Sequence, residues 1–192
     1  MAKRVYFAFH YQDVIDFRAN VVRNHWLTKP DRESAGFFDA SIWENAKKKG
    51  ELAVKRLING AIQNTSVTSV LIGSETYARR WVRYEIIKSV FKGNRIFGVH
   101  INCIHGKDKK TKTLGPNPFD YLGCKFADDG GRLYLYEVKR GKWVVYEDLD
   151  SYVLKPAAPQ KDWGKFYNFS SFYYTYNWIR NDGYNNFVNW VE

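Results

Sequence analysis

Short apolar runs separated by helix-length amphipathic stretches fill the first hundred residues, and no other feature limits the fold as tightly. Val5–Phe9 ("VYFAF") is β-prone and too short for a helix. Asp13–Asn24 follows with Val14, Phe17, Val21 and Val22 at helical spacing, acids early and Arg23 late, which suits the helix dipole. Ala35–Phe38 is a second short strand ending at Asp39. Glu51–Gln63 is a helix with Leu52, Leu57, Ile58 and Ala61 available for its buried face. Ser66–Ile72 is rich in β-branched residues, Thr76–Lys92 is a long helix closed by Gly93-Asn94, and Arg95–Asn102 is a further strand. The order β-α-β-α-β-α-β predicts a parallel sheet covered by helices.

The second half obeys other rules. "GPNPFDYLG" at Gly115–Gly123 is a proline-stiffened loop, and Arg132–Val138 with Lys142–Glu147 turns about Arg140-Gly141 as a β-hairpin. Trp163–Glu192 is crowded with aromatic residues and closes on a helix, Tyr184–Val191. No flexible linker parts the halves, so one domain over residues 1–192 is expected, a core at about 4–102 carrying an elaboration at about 103–192.

Thirty Lys and Arg against twenty Asp and Glu give a formal charge of +10, which permits an anionic partner without choosing one. The densest basic cluster, Gly106–Lys112, also carries acid and reads as a solvated loop. The C-terminal aromatics lack interleaved Lys and Arg, which argues against a single-strand nucleic-acid platform. Cys103 and Cys124 lack paired zinc spacing and the four histidines are scattered, so no metal site is expected. No apolar run approaches a membrane span or a signal peptide, and the expectation is a reduced, cytoplasmic protein with free thiols.

One helix raises the question of chemistry. In "SETYARRWVRYEII", Ala78, Val82, Ile86 and Val90 form a core stripe at 100° per residue, with Tyr77, Trp81 and Glu85 along its shoulder. Glu85 is then half in the apolar layer and half out. Two readings stand: an exposed acid paired with Arg80 or Arg83, or a working carboxylate beside a cleft.

The spacing Ser-x-x-Tyr-Ala-x-x-Trp-x-x-x-Glu-Ile from Ser74 closely resembles a block of TIR domains whose final Glu is catalytic in the NAD-cleaving members. "RVYFAFHYQD" resembles the first TIR strand, with Phe9 and Asp13 at the aromatic and acid positions, and "FFDAS" resembles the second strand with its trailing acid, Asp39. The whole chain is similar to the TIR-like proteins of bacterial Thoeris anti-phage systems. Ala8 stands where many TIR domains have Ser, Val82 replaces a frequent Cys, and Arg79-Arg80 are further departures. The resemblance implies a flavodoxin-like α/β fold and cleavage of the nicotinamide–ribose bond of NAD, with NAD as substrate and no cofactor. It implies a cyclic ADP-ribose-type product that diffuses to a partner effector, a phage-derived trigger and homo-oligomers. Glu85 takes the catalytic role. Phe9, His10, Asp39, Trp43, Tyr77 and Trp81 are the substrate-binding candidates, the aromatics by stacking on nicotinamide or adenine. The alternative is a non-catalytic TIR module that signals by binding a protein partner.

Overall fold

The computed structural model describes residues 3–192. Five parallel strands form the first sheet: β1 (Lys3–Phe9), β2 (Arg32–Ala35), β3 (Val67–Ile72), β4 (Arg95–His100) and β10 (Thr175–Asn177), in spatial order β10-β4-β3-β1-β2. Strand β3 is buried at all six positions, as a central parallel strand covered on both faces must be. The period of two sorts β1: Tyr6 and Ala8 face one core cluster, Val5 and Phe7 the other. Helices α4 (Glu51–Gln63) and α5 (Arg80–Lys92) pack in the first cluster. Helices α2 (Arg18–Leu27) and α6 (Gly183–Val191) pack in the second, around Trp26, Trp178 and Phe187.

The predicted alternation stands, with local corrections. The helix expected over Asp13–Asn24 is two pieces, α1 (Tyr11–Ile15) and α2, because Phe17 takes a left-handed conformation at φ 66°. The second strand is Arg32–Ala35, not Ala35–Phe38, because Gly36 turns the chain at φ 91°, where a Cβ would run into the Phe7 carbonyl. A helix not foreseen, α3 (Ala40–Lys48), follows Asp39. The buried stripe of α4 is Val54, Ile58 and Ile62, and Leu52 is exposed. The helix expected over Thr76–Lys92 breaks at Arg79, whose backbone is extended; Thr76–Ala78 is a 3-10 turn ahead of α5.

A second, antiparallel sheet contains β5 (Leu122–Phe126), β6 (Arg132–Lys139), β7 (Lys142–Val145) and β9 (Phe166–Asn168), in order β7-β6-β5-β9, with β8 (Tyr152–Val153) also paired to β6. The expected hairpin is β6–β7. Leu133 and Leu135 of β6 and Cys124 of β5 join the cluster that holds α5. Helix α5 therefore lies in a core with a sheet on either side. That is why Val82–Ile87 is buried without interruption and no shoulder stripe exists.

The strand ends nearest the site are held by the segment after β4. Arg18, 1% exposed, donates to the Ile104 and Lys110 carbonyls at 3.0 and 2.6 Å. Asn102 Nδ2 donates to the Thr113 carbonyl at 2.8 Å and to Ser74 Oγ at 3.0 Å. No helix among the described residues is long and apolar enough to cross a membrane.

Candidate active site

Glu85 is 6% exposed, not half in solvent. Neither expected arginine pairs with it. Arg80 is held by Glu51 and Asp148, and Arg83 donates to Glu137 at 2.8 Å and to the Val138 carbonyl at 2.9 Å. Glu85 instead accepts a 2.8 Å hydrogen bond at Oε1 from the Tyr6 hydroxyl. Oε2 is buried without a partner among the described residues. Burial without a cation pushes the Glu85 carboxyl up to about 8, opposed by the Tyr6 bond. The Tyr6 phenol is raised well above its ordinary value by burial and by Glu85, so it stays a donor.

Glu85 forms part of the wall of a cavity of about 240 Å³. Phe9 and His10 come from the end of β1 and Phe38 from the loop after β2. Trp43 and Lys47 come from α3, and Arg79 and Trp81 from the head of α5. Most of this wall is apolar, with a few polar groups aimed inward, the usual composition of a small-molecule site. Phe38 and Trp43 stack at 5.9 Å and 11°. Phe9 leans on Phe37 at 4.3 Å, and Trp81 meets Tyr84 edge-on at 6.0 Å. Burial and the nearby Arg79 hold the His10 imidazole below its ordinary value, which keeps it neutral at pH 7.

Of the residues singled out from sequence, the structure brings Phe9, His10, Trp43, Trp81 and Glu85 around one cavity. Two lie off its wall. Asp39 is exposed at the start of α3 and makes no side-chain cap. Tyr77 sits in the 3-10 turn and packs on Tyr121 at 4.7 Å, because the break at Arg79 removes it from the helical line through Trp81 and Glu85. Sequence reasoning missed Phe38, Lys47, Arg79 and Tyr6. Phe38 was assigned to the strand itself. Tyr6 was visible only as one apolar residue of a β run, although a tyrosine placed in a core needs a polar partner. Among the described residues, no group of three or more His, Cys, Asp or Glu side chains is disposed to hold a metal ion.

Comparison with known proteins gives the family. A family model described as "Thoeris protein ThsB, TIR-like domain" matches residues 6–105, the stretch holding every wall residue of the cavity. The chain belongs to the Thoeris ThsB TIR-like family. A relative from Bacillus cereus (strain MSX-D12), named "Putative cyclic ADP-D-ribose synthase ThsB1", is 60% identical over 192 residues, covering 100% of both chains. A distant similarity, 20% over 120 residues, covers 57% of this chain and 39% of a D-alanine--D-alanine ligase from Francisella philomiragia subsp. philomiragia. The first spans both sheets of this ThsB-family chain from end to end, whereas the second carries nothing into the site.

Proposed function

We propose that this ThsB-family protein is an anti-phage TIR enzyme that cleaves the nicotinamide–ribose bond of NAD and releases a cyclic ADP-ribose-type signal. The single observation that carries the reading is the buried Glu85 carboxyl, one oxygen tethered and the other unpartnered, in the wall of an aromatic cavity. The bond breaks with oxocarbenium character at the ribose. Nicotinamide leaves as a neutral molecule, so no strong general acid is needed. A carboxylate beside the sugar accepts from its hydroxyls and stabilises the developing positive charge, and a dry site magnifies that attraction. The cationic nicotinamide ring of NAD brings a positive charge beside Glu85 and so favours its ionised form.

The remaining wall residues take roles by their chemistry. Trp43, stacked on Phe38, offers a face for one ring, and Phe9 or Trp81 a face for the other. Arg79 is the cation for the diphosphate: its neighbour Arg80 is committed to Glu51 and Asp148, while Arg79 keeps only a 3.5 Å contact with Glu75. At about 240 Å³ the cavity is below the roughly 300–1,000 Å³ common for ligand pockets. It encloses one end of a dinucleotide, and the adenylate half lies at the mouth. From there it folds back toward the anomeric carbon, and cyclisation prevails over hydrolysis to the extent that water is kept out. The full name of the B. cereus relative supports the same product class. A phage-derived trigger, an effector reached by the diffusing signal, homo-oligomers and a cytoplasmic setting complete the proposal.

The test is product analysis by mass spectrometry with NAD, using purified protein and lysates with and without phage. Wild type releases nicotinamide and a cyclic product. Glu85→Gln releases neither, while its circular dichroism matches wild type. Unchanged turnover in that variant removes Glu85 from the reaction.

A further inference from the structure

We propose that Tyr6 is a positioning residue for Glu85, its hydroxyl clamping Oε1 between sheet and helix so that Oε2 alone is presented to substrate. The inference rests on the proposed reaction but concerns a residue the reaction itself does not name. Tyr6 is wholly buried on β1 and is not part of the cavity wall, so it reaches substrate only through Glu85. The bond joins residues 79 apart in sequence, at 2.8 Å, across the contact between β1 and α5.

The arrangement has a companion one turn along. Ser89 lies four residues after Glu85, and Thr68 is the cross-strand partner of Tyr6 on β3. The Thr68 hydroxyl meets Ser89 Oγ at 2.8 Å. Helix α5 is thus set on the sheet by two buried polar contacts in register, Tyr6–Glu85 and Thr68–Ser89. The second runs on to Asn94, whose Nδ2 donates to Thr68 Oγ1 at 3.0 Å. The first leaves a carboxylate oxygen without a partner among the described residues, on a side chain that lines the cavity. Phe would fill the same place in the core, so the hydroxyl is not there for packing. It supplies one hydrogen bond to the anion, which stabilises the ionised form in a site with no paired cation.

The titratable and charged groups that contact Glu85 or share its cavity bound the pH behaviour. Tyr6 comes from β1, His10 from the segment after it, Lys47 from α3, and Arg79 and Arg80 from the head of α5. Burial and the Tyr6 bond dominate the carboxyl. Loss of the hydroxyl therefore raises its titration, and the acid limb of kcat/KM, which reports the free enzyme, moves to higher pH.

The experiment is Tyr6→Phe measured in two ways. In the first, kcat and KM for NAD are followed from pH 6 to 9.5. The limb moves up by about one pH unit, kcat/KM falls about tenfold at pH 7, and the deficit shrinks as pH rises through the limb. In the second, the carboxyl carbon of Glu85 is titrated by carbon-13 NMR, assigned by its disappearance in Glu85→Gln. Its midpoint rises by the same unit in Tyr6→Phe. A lower rate with an unmoved limb and midpoint assigns Tyr6 to packing alone and overturns the inference. If wild type releases no nicotinamide, the proposed reaction fails, and the NMR titration still decides the role of Tyr6.

Discussion

At the residue scale, Glu85 is a group the fold would be better off without. Its carboxyl titrates near 4.5 in an unfolded chain and at about 8 here. Between those values the folded state holds more protons than the unfolded one, so stability falls as pH rises through this window. The sign is opposite to that of a salt-bridged acid. Glu85→Gln removes the penalty while keeping an acceptor for Tyr6. It raises Tm by at least about 3 °C at pH 8, and the gain vanishes at about pH 3.5, below both carboxyl values, where wild type is neutral in both states. Differential scanning calorimetry at both values checks it. A Glu kept for structure would give a loss at either pH. The sequence could single out Glu85 by its spacing from Tyr77 and Trp81, but not its burial. Burial depends on Tyr6 and on residues of a second sheet, all distant along the chain.

At the scale of the element, α5 shows what periodicity reads and what it leaves out. The wheel assigns Ala78, Val82, Ile86 and Val90 to a core face; Val82 and Ile86 are buried, Val90 is half-buried, and Ala78, ahead of the helix, is exposed. Arg83, read from sequence as a partner for Glu85, lies on another face, buried against Glu137. A sheet built from residues after 120 covers that face, and no pattern inside "RWVRYEII" signals it. The extended backbone at Arg79 was equally hidden, and it sends adjacent arginines to different tasks. Arg79→Ala is expected to raise KM for NAD about tenfold with Tm unchanged, as loss of a phosphate contact does. Arg80→Ala is expected to leave KM alone and to lower Tm, since it takes a partner from Asp148, while the solvated pair with Glu51 adds little. Steady-state kinetics and thermal melts of the two variants separate these roles.

At the scale of the whole molecule, the alternation of the first hundred residues was enough to read a parallel sheet, and the turn residues a hairpin. The sequence did not tell that the sheet is finished from the far end. Strand β10 pairs with β4, and α6 brings Phe187 and Trp190 onto the same core as Trp26. Such long-range closure leaves no local mark beyond a wealth of aromatic residues. A chain cut after residue 105, at the end of the family match, loses Trp178, Phe187 and Trp190 from the core. At about 1.5–3 kcal/mol for each large buried side chain, that loss rivals the roughly 5–15 kcal/mol that holds an ordinary domain folded. The truncated chain is expected to lack near-ultraviolet circular dichroism and dispersed amide resonances. Full dispersion would show the first half to be self-sufficient.

The two fastenings of α5 point to opposite sides: Glu85 is tied to β1 of the parallel sheet, and Arg83, two residues earlier, to β6 of the antiparallel one. The helix works as a shared beam between two walls. A shift of one wall against the other is therefore expected to be felt at the Glu85 carboxylate.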